Sequence, residues 1–288
     1  MNTGDLRCLD ADALRTMPLP APGGDKDARG RVCVVGGSVQ VPGAALLSAE
    51  AALRAGAGKL QVLTVRSAAM ALGLAVPEAL VVGVREDSKG ELAGGGPVLQ
   101  SALGACDALL IGPGMRSTPC LERLKAKASQ TAATVILDAG ALHGALRAPE
   151  GRPFILTPHA GEMASMCGRS KEDVQQAHLE HAREMARATN SVMVAKAPRT
   201  YIVGPDGAAW QHEGGGPGLG TSGSGDALAG LIAGFAARGA PALEAALWGV
   251  WAHGEAGRLL AQSVGPLGYL ARQISAQVPT ILQRFPWR

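Results

Sequence analysis

The chain has 288 residues, a net charge of +3, 47% hydrophobic residues and 3% aromatic residues. The small charge, the scattered basic side chains and the scarcity of aromatic rings argue against nucleic-acid binding. The five cysteines form no CxxC pair, which favours reduced thiols in a cytoplasmic protein over a disulfide framework or a zinc site. The longest apolar run, at 227–237, is too short for a membrane span, so no membrane partner is expected.

Short apolar runs rich in Val, Ile and Leu alternate along the chain with stretches of helical character. The strands are predicted at 32–36, 60–65, 79–83, 108–112, 134–138, 154–157 and 192–196, and the helices between them at 44–55, 118–129, 162–167 and 171–189. Runs of this length, bounded by glycine or proline, are typical of strands buried on both faces. The alternation predicts an α/β fold with a mainly parallel sheet and helices on both sides.

The two ends of the chain differ from this alternating middle. Residues 200–203, the turn 204–207 and residues 208–211 predict a hairpin at the sheet edge. Three helices at 225–238, 243–262 and 267–284 are expected to close the chain. Residues 1–29, which are rich in proline and glycine, are expected to form a loose leader. We therefore expect a single domain over 30–288.

The most informative segment is the glycine-rich loop 218–226, which leads into the apolar helix predicted from residue 225. The first N–H groups of a helix lack partners and bind anions, so Gly223, Ser224 and Gly225 are candidates for a phosphate-binding anion hole. Asp226 would repel a phosphate unless it takes a proton from a hydroxyl that is being phosphorylated. The alternative is that Asp226 only stabilises the first turn of the helix.

Other unusual residues follow the ends of predicted strands, where open α/β sheets bind their ligands. They stand at 36–38, 112–114, 138–140, 157–162 and 196–200. Each one has a structural explanation of its own, and a lone loop histidine such as His159 is more often structural than functional. Five strand ends of this kind together favour a binding site.

In this order, the segments resemble the ADP/ATP-dependent NAD(P)H-hydrate dehydratases, a branch of the ribokinase-like superfamily. The matching pieces are 34–38, 42–45, 51–58, 111–114, 136–139, 156–162, 196–200, 205–207 and 216–230, within a resemblance that spans about residues 30 to 285. It implies a ribokinase-like three-layer α/β/α sandwich. It also implies a repair enzyme that dehydrates (6S)-NADHX or (6S)-NADPHX by phosphorylating the added hydroxyl and eliminating phosphate, with ADP or ATP as the phosphoryl donor.

The resemblance also assigns residues to roles. Asp226 is the expected catalytic base. The hydrated dinucleotide is expected to contact Ala44, Gly114, His159 and Asp226, and the adenine nucleotide to contact Lys196, Ala197, Pro198, Arg199, Thr200 and Gly225. Glu162 stands where related proteins place a carboxylate near Mg²⁺, which it would hold through water. A separate NAD(P)H-hydrate epimerase and a homotetrameric assembly are further expectations.

The chain departs from the family pattern at four positions, Ala160, Ala197, Gly216 and Ser222. None of these changes removes a charged group. Two other functions stay open. A ribokinase-like kinase acting on a vitamin-precursor alcohol would share the loop and Asp226 but would stop at the phosphate ester. A non-catalytic nucleotide-binding protein could retain the fold alone.

Overall fold

The backbone is organised around one sheet, seen in a computed structural model that describes residues 6–21, 23–94, 96–144 and 147–288. Its strands are β1 (Leu6–Cys8), β2 (Arg31–Val35), β3 (Lys59–Val65), β4 (Ala79–Val84), β5 (Ala108–Ile111), β6 (Thr134–Leu137), β7 (Phe154–Leu156), β8 (Ser191–Ala195), β9 (Arg199–Val203) and β10 (Ala209–Glu213). They lie in the order β1-β10-β9-β8-β7-β6-β5-β2-β3-β4. Only β9 runs antiparallel to its neighbours. The expected α/β class with a mainly parallel sheet is thus confirmed.

The direction of strand order reverses between β2 and β5, which are adjacent in the sheet although two strands separate them in the chain. Such a reversal opens a crevice beyond the carboxyl ends of the strands, because the connecting segments leave toward opposite sides. The fold therefore offers a ligand site next to the loops that follow β2 and β5.

The helices within the described residues are α1 (Ala11–Arg15), α2 (Pro42–Arg54), α3 (Arg66–Ala75), α4 (Gly96–Gly104), α5 (Pro119–Ala128), α6 (Ala160–Cys167), α7 (Lys171–Gln176), α8 (His178–Thr189), α9 (Ser224–Ala237), α10 (Ala242–Ser263) and α11 (Ala271–Leu282). Short 3₁₀ turns cover Ala139–Leu142 and Pro217–Gly220. In the described part of the chain, none of these helices combines the length and apolarity that crossing a membrane requires.

Helices α2 and α9 approach each other closely. A Cβ atom on Gly230 would lie 2.2 Å from the carbonyl oxygen of Ser48, and one on Gly234 would lie 2.5 Å from that of Ala52. Only glycine fits at such a backbone contact. Helix α9 is also buried along almost its whole length. This packing holds α9 along the middle and last turns of α2, and the hydroxyl of Ser48 also donates a hydrogen bond of 3.0 Å to the carbonyl oxygen of Asp226 at the start of α9.

The predicted strands and the main helices are present, with three differences in the helices. The expected helix at 171–189 is two helices, α7 and α8, because the backbone of Ala177 leaves the helical region (φ −127°, ψ 45°). The last helix begins at Ala271 rather than at 267. Helices α3 and α4 were not predicted.

The structure departs from the expectation of a loose leader over residues 1–29. Strand β1 pairs in parallel with β10, and Leu9, Leu14 and Leu19 are buried. The indole nitrogen of Trp248 donates a hydrogen bond of 2.8 Å to the carbonyl oxygen of Met17. Residues 1–5 and 22 lie outside the described residues. The segment 6–21 is thus anchored because its leucines reach the core, despite its prolines.

Candidate active site

Two of the expected substrate residues meet at the crevice between β2 and β5. Gly114 follows β5 with a left-handed backbone (φ +68°) that favours glycine. A Cβ atom at this position would lie 2.8 Å from the Cβ of Ala44 and 2.5 Å from the carbonyl oxygen of Val41. Ala44 lies in the first turn of α2, so the start of that helix and the loop after β5 are in direct contact. Both residues therefore lie where the strand order reverses, next to Gly37 in the loop after β2.

A partly buried ion pair connects the ends of β8 and β6, the two strands on either side of β7. Lys196, directly after β8, places its Nζ atom 3.0 Å from Oδ1 of Asp138, which follows β6, and 3.9 Å from Oε2 of Glu162. Thr157 donates a second hydrogen bond of 2.6 Å to Oδ1 of Asp138. The residue after Asp138, Ala139, has a left-handed backbone (φ +48°), which is strained for a residue with a side chain. The fold thus holds this carboxylate in place.

Lys196 keeps its positive charge although its side chain is only 19% exposed. Burial alone would lower its pKa, but the charges of Asp138 and Glu162, the hydrogen bond to Asp138 and the charge of Asp226 together raise the pKa above its usual value. A cation held in this way can attract an anionic ligand without exchanging its proton near neutral pH. The side chain lies next to the glycine-rich loop, since a Cβ atom on Gly225 would lie 3.2 Å from Nζ.

Asp226 behaves differently from an ordinary carboxylate. Burial raises its pKa to about 7, the charges of Asp138 and Glu162 add to this effect, and the charge of Lys196 opposes it. A group with a pKa near neutrality can take up and release a proton under working conditions, which is what a general base requires. Asp138, by contrast, has the Lys196 ammonium and the Thr157 hydroxyl as direct partners. Asp138 and Asp226 thus lie in one site but in different environments, because Asp138 is paired directly with a cation and a hydroxyl whereas the pKa of Asp226 is raised mainly by burial.

The start of α9 offers backbone donors beside these charges, of which the N–H of Ser224 already donates to the carbonyl oxygen of Thr221 at 3.2 Å. Gly223, at the N-cap, has φ +84°, and within the described residues no side chain caps this helix. A Cβ atom on Gly223 would also lie 2.4 Å from Cδ1 of Leu47. The first N–H groups of such a helix and its dipole attract anions. The absence of a capping bond and the raised pKa both count against Asp226 serving only to stabilise the helix.

His159 has a structural role as well as a place at the site. Its Nδ1 atom accepts hydrogen bonds from the backbone N–H groups of Gly161 (3.0 Å) and Glu162 (3.2 Å), and the backbone N–H of His159 donates to Oε2 of Glu162 at 2.8 Å. This reciprocal capping box begins α6. Because Nδ1 accepts, the ring proton sits on Nε2, on a side chain that is 59% exposed.

A cavity of about 830 Å³ adjoins these groups. It gathers most of the expected nucleotide residues together with His159, and its lining includes His159, Lys196, Ala197, Pro198, Thr200, Ser224 and Gly225. Arg199 does not line this cavity. Its side chain forms an ion pair with Glu213 and lines a smaller cavity of about 370 Å³. Within the segment 196–200, Arg199 therefore lines a different cavity from Lys196 and Thr200.

Two histidines of the cavity wall were not identified from the sequence. His253 on α10 places Nε2 3.1 Å from the carbonyl oxygen and 3.0 Å from Oγ of Ser224. Burial lowers the pKa of His253 to about 4, so the ring is neutral and supports the glycine-rich loop as a hydrogen-bond donor. His212 on β10 also lines the cavity. His253 lies inside helix α10, and no local sequence signal marks it. His212 lies near the carboxyl end of β10, just before three consecutive glycines at 214–216, and that glycine run is the signal that could have identified it.

The residues that could approach a metal are the carboxylates of Asp138, Glu162 and Asp226. Among the residues that the structure describes, no three His, Cys, Asp or Glu side chains are arranged as a ready-made metal site. Oxygen ligands of this kind suit Mg²⁺, which is usually bound by one or two carboxylates together with water and substrate phosphates. These carboxylates thus fit a Mg²⁺ ion that binds together with the phosphates of a nucleotide. Glu162, whose Oε2 atom lies 3.9 Å from Nζ of Lys196, stays the candidate for holding this ion through water.

Comparisons of the whole sequence with known proteins identify the family of this chain. A family model described as NAD(P)H-hydrate dehydratase matches residues 32–280. The chain is 56% identical to a protein of Xanthomonas campestris named ADP-dependent (S)-NAD(P)H-hydrate dehydratase, over 98% of each chain. It is 30% identical to a bifunctional NAD(P)H-hydrate repair enzyme of Escherichia coli, of which it spans 49%.

Solved structures show the same relationship. An ADP/ATP-dependent NAD(P)H-hydrate dehydratase from Bacillus subtilis, co-crystallized with ATP/Mg²⁺, superposes with a TM-score of 0.84 at 29% identity, over 98% of this chain and 99% of that one. A hydroxyethylthiazole kinase from Pyrococcus horikoshii shares only the fold, with a TM-score of 0.58 at 16% identity over 90% of each chain. The ribokinase-like architecture and the resemblance seen in the sequence are confirmed, and the chain belongs to the NAD(P)H-hydrate dehydratase family.

Proposed function

We propose that the protein repairs hydrated nicotinamide nucleotides as an ADP-dependent (S)-NAD(P)H-hydrate dehydratase. It converts (6S)-NADHX or (6S)-NADPHX to NADH or NADPH and releases AMP and phosphate. The observation that carries this proposal is the Asp226 carboxylate, whose pKa is raised to about 7 at the start of α9, near the partly buried cation of Lys196. The name of the 56% identical relative from Xanthomonas campestris supports the same activity.

The first chemical step is phosphorylation of the added hydroxyl group. Asp226 accepts the hydroxyl proton while the oxygen forms a bond to the β-phosphorus of ADP, and the bond from that phosphorus to the oxygen of AMP breaks. The backbone N–H groups of Gly223, Ser224 and Gly225 hold the transferring phosphoryl group, and the charge of Lys196 offsets its negative charge. Mg²⁺ bound with the nucleotide phosphates would supply further positive charge.

The second step is elimination. Water is a poor leaving group, whereas a phosphate ester leaves readily with the electron pair of its C–O bond. A proton is lost from the neighbouring ring carbon, and the ring double bond of the reduced nicotinamide forms again. A small-molecule kinase of the same fold would stop after the first step, so recovery of reduced nicotinamide separates the two functions.

The two ligands are expected to approach from different sides. Ala44 and Gly114 stand at the crevice between β2 and β5, where the hydrated nicotinamide would bind near Asp226. The cavity of about 830 Å³ beside Lys196 and Thr200 is the place we assign to the adenine nucleotide. Arg199 is excluded from this assignment because it faces the smaller cavity with Glu213. A homotetrameric assembly and a separate epimerase are expected from the resemblance alone, and a cytoplasmic location is expected from the cysteine content. The use of ADP as the donor is supported by the name of the relative from Xanthomonas campestris.

The decisive test replaces Asp226 with asparagine, which has nearly the same shape but is no base near neutral pH. With hydrated NADH, ADP and Mg²⁺, we expect the wild-type chain to restore the absorbance of reduced nicotinamide. We expect Asp226→Asn to bind ADP but to lower turnover by about 10²–10⁴-fold, the usual contribution of a general base.

Asp206→Asn, in the hairpin turn before β10, is the matched control and should leave turnover unchanged, because asparagine can also accept the hydrogen bond from the backbone N–H of Ala208. Near-normal turnover by a folded Asp226→Asn variant would show that Asp226 only supports the helix. Release of AMP without recovery of reduced nicotinamide would favour a kinase.

A further inference from the structure

Arg116 presents a cation at the edge of the crevice between β2 and β5. It follows Gly114 by two residues in the loop after β5, and its side chain is 70% exposed. A Cβ atom on Gly140 would lie 2.3 Å from the carbonyl oxygen of Met115 and 3.0 Å from the carbonyl carbon of Arg116. The loop thus packs against the 3₁₀ turn that begins after Asp138. The arginine therefore stands beside the expected substrate residues and is open to a ligand.

Two other loops orient Arg116. Its Nη2 group donates a hydrogen bond of 2.9 Å to Oε1 of Gln40, in the loop after β2. Its backbone N–H donates a hydrogen bond of 3.1 Å to Oε2 of Glu91, a buried carboxylate in the segment after β4. Three segments that follow parallel strands of the sheet, β2, β4 and β5, therefore meet at this residue.

The guanidinium group keeps donors for a ligand. Arginine carries five N–H groups, and in the described part of the chain Oε1 of Gln40 is the one acceptor that the Arg116 side chain contacts at hydrogen-bond distance. Oε1 of Glu91 lies 4.0 Å from Nε, which is too long for a hydrogen bond, although its charge offsets part of the positive charge. Because arginine binds phosphate oxygens through pairs of N–H groups, the remaining donors suit a phosphate group.

The strand order places this cation on the side of the site away from the nucleotide. The cavity assigned to ADP is lined by Lys196 and Thr200, next to β8 and in β9, and by His212 in β10. In the sheet, these strands lie on one side of β5, whereas β2, β3 and β4 lie on the other side. A hydrated nicotinamide bound at Gly114 extends its phosphates away from ADP, because both ligands are anionic, and therefore toward β2, β3 and β4. Arg116 lies on that side of the crevice.

We propose that the guanidinium group of Arg116 binds a phosphate group of the hydrated dinucleotide. The dinucleotide carries a pyrophosphate, and hydrated NADPH also carries a 2′-phosphate; both groups offer the same anionic oxygens. The inference rests on the proposed function, because it assigns a phosphate-binding residue to the same substrate. A contact to a phosphate far from the reacting ring stabilises the bound substrate and the transition state equally, so it lowers KM and leaves kcat unchanged.

The test measures kcat and KM of the full chain at saturating ADP and Mg²⁺. The substrates are hydrated NADH, hydrated NADPH and hydrated reduced nicotinamide riboside, which has no phosphate and whose affinity is measured as KM or as an inhibition constant. Arg116→Gln keeps a side-chain donor for Gln40 but removes the charge, and Arg116→Lys keeps the charge but loses the paired N–H groups. Arg54→Gln is the matched control, because Arg54 is an exposed arginine at the end of α2, roughly 15 Å along the helix from Ala44.

We expect Arg116→Gln to raise KM for the dinucleotides about tenfold, a common contribution of a hydrogen bond to a charged group, with kcat nearly unchanged. The affinity for the riboside should stay the same. Arg116→Lys should recover part of the loss, and Arg54→Gln should behave as the wild type does. A loss of equal size for both dinucleotides would identify the pyrophosphate as the bound group, and a loss for hydrated NADPH alone would identify the 2′-phosphate; either result supports the inference.

Two results would overturn the inference while leaving the proposed function intact. One is an Arg116→Gln variant whose KM for both dinucleotides equals that of the wild type. The other is an equal loss of affinity for the riboside, which would show that Arg116 supports the loop of Gly114 instead of binding a phosphate. A wild-type chain that converts neither hydrated dinucleotide would overturn both the inference and the proposed function.

Discussion

The raised pKa of Asp226 makes a prediction about stability that does not depend on any ligand. A carboxyl group that holds its proton more tightly in the folded protein than in the unfolded chain lowers stability as the pH rises. Asp226→Asn removes the titrating group and leaves the rest of the site in place. The difference in unfolding free energy between variant and wild type should therefore depend on pH in a definite direction.

The magnitude follows from the shift. The pKa rises from 3.8 to about 7, or about three pH units, and each unit corresponds to about 1.4 kcal/mol. The ionised carboxylate thus costs the folded protein about 4 kcal/mol at most, and water reaching the partly exposed side chain reduces this value. Below pH 4 Asp226 is protonated in both states and the cost is absent. It grows from pH 4 to pH 7 and is constant above, so Asp226→Asn should be the more stable protein at pH 8.

The assay is urea unfolding of both proteins at several pH values between 4.5 and 8.5. Asp12→Asn, at an exposed carboxylate of α1, is the control for loss of a charge, and its stability difference should stay nearly constant. The pH dependence of kcat/KM for the wild type should show an acidic limb with an apparent pKa near 7. A stability difference for Asp226→Asn that is flat or falls with pH would refute the reasoning, because Asp226 would then be an ordinary carboxylate at a helix start.

Other predictions test single contacts of the site. Saturating ADP should raise the melting temperature by about 5 °C, since a ligand at a hundred times its Kd stabilises the folded state by about 2.7 kcal/mol. An unchanged melting temperature at millimolar ADP with Mg²⁺ would contradict the proposal that the cavity binds an adenine nucleotide. His159→Asn keeps the cap of α6 and removes the Nε2–H group. It should weaken binding of the hydrated dinucleotide, the ligand that the resemblance assigns to His159, more than binding of ADP, although the ring lines the cavity assigned to ADP. Equal or larger losses for ADP in calorimetry would contradict the assignment of His159 to the dinucleotide. Gly225→Ala should weaken ADP binding, as its methyl group would lie 3.2 Å from Nζ of Lys196, and unchanged affinity would contradict the placement of phosphate there.

The sheet could be predicted because strands that are buried on both faces consist of apolar residues almost throughout. Each central strand is an apolar run that ends in glycine, proline or a polar residue, and parallel strands bring those ends to one edge.

The N-terminal segment 1–29 is harder to interpret from the sequence. Its prolines indicate an irregular backbone, yet Leu9, Leu14 and Leu19 are spaced so that each reaches the core. Composition therefore failed to indicate both the short elements β1 and α1 and the contacts of this segment with the core.

Residues next to each other in a motif need not face the same ligand, and Arg199 illustrates why. Lys196 extends from the end of β8 into the site, whereas Arg199 begins β9, three residues further on, after the chain has turned. Their side chains consequently line different cavities. A motif fixes which residues are near one another in the chain, but the direction of each side chain depends on the strand that carries it. The interpretation of 196–200 as one nucleotide-binding unit assumed a common direction.

For Asp226, the sequence predicts the role of the residue, whereas its pKa depends on the fold. The glycine-rich loop and the apolar helix after it identify Asp226 as the candidate base, because a carboxylate at a phosphate-binding helix start needs a chemical reason. Its pKa, however, depends on burial and on the charges of Asp138 and Lys196, which follow β6 and β8, and of Glu162 in α6. Lys196 is held by Asp138, so it attracts an anion without fully neutralising Asp226. The order of the strands therefore brings together the charges that, with burial, let Asp226 exchange its proton at neutral pH.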